Sequence, residues 1–220
     1  MRLICFGDSW TAGFGIEKEN IHQRGHHMLK IGNGFYDKLR INNCWPRWLA
    51  NELDCPFVTF AKEGYNNTQI LDEIKSVVSS NILKNDDIII VMFSYPYRYA
   101  SNPIDDFEKI EKLLKPYCHF YFNAFYPMFK NEIYETIPEN FIDPNTSMLD
   151  MLINYELQNP KAKSVWEYSS TIEFTQEIKN NDIIYHPNMF GYKLIGKHIH
   201  EKIKNKKLNS DSIIKFNKFL

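Results

Sequence analysis

Ser9 stands directly behind the first apolar segment of the chain, in Phe6-Gly7-Asp8-Ser9-Trp10. His186 stands near the other end, in Asp182-Ile183-Ile184-Tyr185-His186-Pro187-Asn188. A serine hydroxyl is a weak nucleophile until a base takes its proton, and an imidazole nitrogen can do so. Serine early, with aspartate and histidine late, is one of the chain orders in which a Ser-His-Asp constellation performs acyl transfer. Ser9 is therefore the candidate nucleophile, His186 its base and Asp182 the acid behind the base. Attack on a carbonyl develops an oxyanion that needs donors placed in advance. The backbone N–H groups of Ser9 and Gly64 suit that task, the latter because glycine lets the backbone approach a ligand closely.

These residues need a frame, and the chain predicts one. Residues 2–6 are short and mostly apolar and end at a glycine, as a buried parallel strand does. The loop leaving the carboxyl end of such a strand is where open α/β sheets place ligands. Further strands are expected at 56–61, 87–93 and 119–124. The run Ile88-Ile89-Ile90-Val91-Met92-Phe93 is continuously apolar, the mark of a central strand. Between them, Trp45, Trp48, Leu49 and Leu53 share a helical face behind Pro46. The sets Ile70, Leu71, Ile74, Val77 and Phe107, Ile110, Leu114 form two more such faces. A helix is expected at 147–156. A last one is expected from Asn188, which caps it, with Leu194, Ile195, Ile199 and Ile203 facing inward. This alternation predicts an α/β fold, a three-layer α/β/α sandwich around a mostly parallel sheet. One domain covers 1–206, with an irregular insertion at about 16–43 and a tail over 207–220. An insertion of that length beside the serine reads as a lid or binding wall.

Composition narrows the function classes. With 44% hydrophobic and 24% charged residues the chain can build a core, and a formal net charge of -1 gives no basis for nucleic-acid or anionic-membrane partners. No apolar run is long enough to span a bilayer and no leader precedes the first strand, so a cytoplasmic location is expected. Cys5, Cys44, Cys55 and Cys118 form no paired motif and read as small hydrophobes in a reducing compartment. His22, His26 and His27 lack a cysteine partner, so neither metal nor cofactor is expected. His198 and His200 are expected to titrate at the surface of the last helix. Among the aromatics, those inside strands belong to the core. Tyr95, Tyr97 and Tyr126 fall where the third and fourth strands end and suit stacking on a sugar ring.

The blocks Gly7-Asp8-Ser9, Phe60-Ala61-Lys62-Glu63-Gly64 and His186-Pro187-Asn188, the last followed by Gly191 and Tyr192, resemble those of the SGNH (GDSL-type) hydrolase family over nearly the whole chain. That resemblance implies a flavodoxin-like sheet and a serine esterase that needs no cofactor. The stretch Tyr65-Asn66-Asn67-Thr68-Gln69-Ile70 resembles a subgroup frequent in bacteriophages, which implies a phage-encoded protein. Two departures matter. The family's Gly-x-Asn-Asp block is replaced here by Phe93-Ser94-Tyr95-Pro96-Tyr97-Arg98, similar to that subgroup's Ser/Thr-x-Pro-x-Arg. The missing oxyanion donor then falls to Asn67, with Asn66 and Ser94 as alternatives. The family's aspartate sits two or three residues before the histidine, whereas Asp182 sits four before, so a bulged loop or a backbone carbonyl must orient His186. Asp8, Trp10, Ser94 and Arg98 are expected to contact substrate. The expected substrate is a small ester or an acylated glycan, with acetyl the expected acyl group. The alternative is an inactive SGNH domain that binds glycan or builds a particle. The glycine-rich loop from Gly7 to Gly15 matches no nucleotide-binding pattern.

Overall fold

The structure, a computed structural model, describes residues 1–14, 39–95, 102–127, 137–166 and 186–205. Asp182, Arg98, Tyr97, His22, His26, His27, the insertion up to residue 38 and the tail lie outside the described residues.

Four strands form one sheet: β1 (Leu3–Gly7), β2 (Phe57–Ala61), β3 (Ile88–Phe93) and β4 (Cys118–Asn123), in the order β2-β1-β3-β4 with every pairing parallel. Parallel pairing requires crossovers, and helices supply them. In chain order these are α1 (Trp45–Glu52), α2 (Asn67–Ser79), α3 (Pro103–Leu114), α4 (Met148–Gln158) and α5 (Met189–Asn205). Residues 39–43 are also helical. The chain is therefore α/β, as the strand–helix alternation predicts.

Strand side chains alternate between faces, so each strand feeds two cores. Leu3, Cys5, Ile88, Ile90, Met92, Phe120 and Phe122 pack with α1, α4 and α5 on one face. Ile4, Phe6, Ile89, Val91, Phe93 and Tyr121 pack with α2 and α3 on the other. Every residue of β1 and β3 is buried, which explains why their sequences are apolar without alternation. The sheet is thus the middle of three layers.

Local chemistry closes the starts of the helices. Asn66 and Gln69 form a reciprocal capping box at α2, and Ser147 and Asp150 form another at α4. Asn102 caps α3, which opens with Pro103 and carries Asp105 and Asp106 in its first turn, where the helix dipole favours acids. At α5 the Asn188 side chain accepts from the N–H of Gly191 at 2.9 Å, as expected of its cap.

Helix α5 crosses α1 at Gly196, where a Cβ would stand 2.7 Å from the Cβ of Trp48 and 3.0 Å from the carbonyl oxygen of Trp45. Gly196→Ala should therefore force these helices apart and cost about 1–3 kcal/mol, the usual range for overpacking. Thermal denaturation should show Tm falling by roughly 2–4 °C per kcal/mol in a chain of this size. An unchanged Tm would show that the helix contact yields freely.

Candidate active site

The sheet order places a reversal between β1 and β3, since the chain leaves β1 toward β2 and then returns to β3 on the opposite side. Open α/β sheets bind ligands in the crevice at the carboxyl ends of strands flanking such a switch point. Register brings those ends level: Gly7 pairs with Ala61, Phe6 with Val91 and Phe93 with Asn123. Ser9 leaves β1 at this edge, Gly64 follows β2 and Ser94 follows β3.

Buried hydrogen bonds lock the edge. The Ser94 hydroxyl donates to Asp8 Oδ2 at 2.7 Å, across the crevice between the two strands. The Ser94 N–H donates to Asn67 Oδ1 at 2.9 Å, tying β3 to the first turn of α2. Asp8 Oδ1 accepts the N–H of Trp10 at 3.0 Å, folding the serine loop back on itself. Within that loop Ala12 N–H bonds Asp8 O and Phe14 N–H bonds Ser9 O, both at 3.0 Å. Ser9 itself is buried, at 5% exposure. Gly64 adopts φ +80, in the left-handed region that glycine tolerates.

Asn67 is fully buried, and its Nδ2 has no hydrogen-bond partner among the described residues. An unmatched buried amide donor costs about 1–3 kcal/mol, a cost that a water or a ligand oxygen at this place would remove. The two alternatives differ from Asn67 in how they are held. Asn66 accepts from Gln69 N–H as the cap of α2, and the Ser94 hydroxyl is donated to Asp8.

His186 reaches the same edge from the far end of the chain. Its ring centroid lies 6.2 Å from that of Phe14, the residue bonded to Ser9 O. The Tyr192 hydroxyl donates to Phe14 O at 2.7 Å and fastens α5 to the serine loop. Arg40 also lies over Phe14, its Cζ 3.8 Å from the ring centroid. The His186-Pro187-Asn188 segment is strapped to residues 164–166. Pro187 bridges Trp166, Asn188 N–H bonds Val165 O at 2.9 Å, and Asn188 Nδ2 donates to the carbonyls of Ser164 and Trp166 at 2.8 and 2.7 Å. Sequence reasoning missed this strap, because residues 164–166 carry no pattern beyond an aromatic. Ser9 and His186 share one edge, but among the described residues the Ser9 hydroxyl makes no hydrogen bond to His186. Serine–base bonds in ligand-free sites are commonly long and tighten only around substrate.

Burial bears on three sequence expectations. Trp10 is fully buried, its ring 4.9 Å edge-on from Phe125, so it supports the loop from the core and presents no surface in this structure. Asp8 and Ser94 are likewise buried and bonded to each other and to the loops around them; they hold the site's frame. His198 and His200 are only partly exposed on α5. His198 is half-buried 3.4 Å from Asp143, and His200 Nε2 is buried without a hydrogen-bond partner among the described residues. The cause is α5 packing against its neighbours along most of its length.

A cleft of about 570 Å³ opens elsewhere, between the 143–146 turn, α4 and α5. Its charged groups serve one another. Asp143 pairs with Lys202 at 2.8 Å and His198 at 3.4 Å, and Asp150 accepts from the Ser147 cap. Among the described residues no cluster of histidine, cysteine, aspartate and glutamate is arranged to hold a metal. No described helix is long and apolar enough to cross a membrane.

Comparison of this chain with known proteins gives a general likeness. No family model and no curated protein matches the chain. Among solved structures it is similar to a member of the lipolytic protein G-D-S-L family from Veillonella parvula, at 14% identity and TM-score 0.45, covering 93% of this chain and 99% of that one. It is also similar to a putative lipolytic protein of the G-D-S-L family from Desulfitobacterium hafniense, at 12% identity and TM-score 0.47, covering 91% and 98%.

Burial lowers the pKa of His198 from 6.5, and the nearby Asp143 carboxylate only partly opposes this. The folded state therefore binds fewer protons than the unfolded one as pH falls below about 6.5, and stability rises with pH there. The stabilisation is complete above about 6.5 and is lost as pH drops through the lowered folded pKa. Tm measured from pH 7.5 to 5 should fall more steeply in the wild type than in His198→Gln; parallel curves would remove His198 from the acid response. At Gly64, a Cβ would meet nothing within 4 Å, so Gly64→Ala carries backbone strain alone. It should cost about 1–2 kcal/mol by chemical denaturation, with Gly64→Asn costing less.

Proposed function

We propose that this protein is a serine hydrolase that cleaves a small acyl ester, with an acetylated carbohydrate as the substrate class. The observation that carries the reading is the buried, unpartnered Asn67 Nδ2 at the switch-point edge that also holds Ser9 and Gly64. A hydrolase acting through Ser9 needs such a donor, and the sequence lacks the asparagine that related chains carry after the third strand.

In this reading the Ser9 oxygen attacks the ester carbonyl carbon while His186 takes the hydroxyl proton. The carbonyl oxygen becomes negative and is met by Asn67 Nδ2 and by the N–H groups of Ser9 and Gly64. Collapse breaks the bond to the alcohol, which leaves with the proton from His186, and an acyl-Ser9 remains. Water, deprotonated by the same imidazole, then releases the acid and restores the serine. Asp182 or a backbone carbonyl orients the ring, and Arg98 contacts substrate. Tyr95 and Tyr126, half-buried with rings 5.2 Å apart at the ends of β3 and β4, support a sugar beside the ester.

The absence of an asparagine after the third strand and the position of Asp182, four residues before His186, favour a second reading, an inactive domain that keeps the fold to bind glycan. The two readings separate cleanly. A fluorophosphonate probe should add once to the wild type, by intact mass, and not to Ser9→Ala. Hydrolysis of p-nitrophenyl acetate should fall by roughly a thousandfold or more in Ser9→Ala and His186→Ala. In Asn67→Ala it should fall about a hundred- to a thousandfold, the cost of one oxyanion donor. A folded wild type that takes no probe and hydrolyses nothing, yet binds acetylated glycan in both variants, would establish the binding reading instead.

A further inference from the structure

The Asn67 amide can serve an oxyanion only if its two ends are told apart, because an amide flipped about its last torsion offers an oxygen where a donor is needed. One hydrogen bond makes that distinction. The Ser94 N–H can only donate, so the Asn67 atom 2.9 Å from it is the oxygen, and the nitrogen is the atom left without a partner. The position of the Ser94 N–H is in turn set by the Ser94 hydroxyl, anchored 2.7 Å from Asp8 Oδ2. Asp8 Oδ1 accepts the N–H of Trp10, so the carboxylate is held from the serine loop itself. All three side chains are at most 1% exposed, which keeps water from competing for these bonds.

We propose that Ser94 and Asp8 form a positioning clamp that fixes the rotamer and amide orientation of Asn67. In this arrangement Ser94 is neither an oxyanion donor nor a substrate contact. The inference rests on the hydrolase reading for its catalytic consequence, but the clamp is a property of the folded protein. It also accounts for how a chain without an asparagine after the third strand could retain a side-chain donor. The donor comes from the first turn of α2, and the residue after β3 aims it. Because the clamp spans the loops after β1 and β3 and the start of α2, it couples the nucleophile's loop to the donor's helix.

The decisive experiment is a double-mutant cycle with Ser94→Ala and Asn67→Ala, read by p-nitrophenyl acetate turnover and by NMR of side-chain amides in uniformly ¹⁵N-labelled protein. Thermal denaturation would confirm that each variant folds. Ser94→Ala keeps the backbone donor but frees its anchor, so kcat should fall about tenfold with KM little changed, a loss carried by the transition state. In an Asn67→Ala background the same change should cost almost nothing, because residues acting through one group are non-additive. Ser94→Thr, which keeps the hydroxyl, should restore most of kcat. Independently of turnover, the Asn67 amide resonances, assigned by their loss in Asn67→Ala, should shift or broaden in Ser94→Ala and return in Ser94→Thr. Shifted resonances in a wild type that neither labels nor hydrolyses would support the clamp and defeat the hydrolase reading. Resonances unmoved by Ser94→Ala, or additive losses in an enzyme that labels at Ser9, would overturn the clamp.

Discussion

Ser94 donates twice, through its hydroxyl to Asp8 and through its backbone to Asn67, and these two bonds hold together three segments that the sheet alone would leave as separate loops. Parallel pairing levels the strand ends but does not arrange the loops that leave them. Chain leaving β1, β3 and β2 at one edge would otherwise leave several polar backbone groups there without a fixed partner. Joining the loops with buried bonds, the one to Asp8 charge-assisted, gives that edge a single geometry. The cost is a carboxylate in the interior, tolerable because Asp8 accepts from groups on either side of it.

The histidine side of the site is built on a different principle. His186 precedes a helix, and its position depends on how firmly that helix entrance is held. Asn188 caps α5 with its oxygen and uses its nitrogen and backbone to grip residues 164–166. Tyr192, one turn further, reaches the loop that carries Ser9, bonding a residue 178 positions away. Tyr192 and Asn188 thus tie α5 to the serine loop and to residues 164–166, and the apolar face of α5 packs into the core beneath.

Residues in the serine loop illustrate why side-chain type is a poor guide to role at such an edge. Asp8 and Trp10 flank the nucleophile and have the chemistry of ligand contacts, yet both turn inward. Trp10 fills the core beside Phe125, and Asp8 meets a serine 86 residues away. Likewise, His198 and His200 sit on a helix whose charged residues suggest a solvated surface. Their burial depends on which elements pack along that helix, and helical periodicity does not carry that information.

Strands, helices and their caps were legible in the order of residues, because these depend on neighbours a few positions apart. The continuous apolar run of β3 and the cap at Asn188 were readable in this way, and the pairs Asn66–Gln69 and Ser147–Asp150 close the helix starts with equally local chemistry. Ser9, Gly64, Asn67 and His186 stood out as chemically apt for the same reason, since their places at element ends are local facts. Strand order could not be read from local pattern; it followed only from the family resemblance, which implied a flavodoxin-like sheet, and the observed order β2-β1-β3-β4 agrees with it. Nor was the difference among Asn67, Asn66 and Ser94 legible: in the folded chain Asn67 Nδ2 is buried without a partner among the described residues, Asn66 holds the cap of α2 through its oxygen, and the Ser94 hydroxyl is donated to Asp8. The reason is physical: whether a polar side chain is free or engaged depends on groups remote in sequence, and a hydrogen bond forms only where the fold brings both partners within about 3 Å.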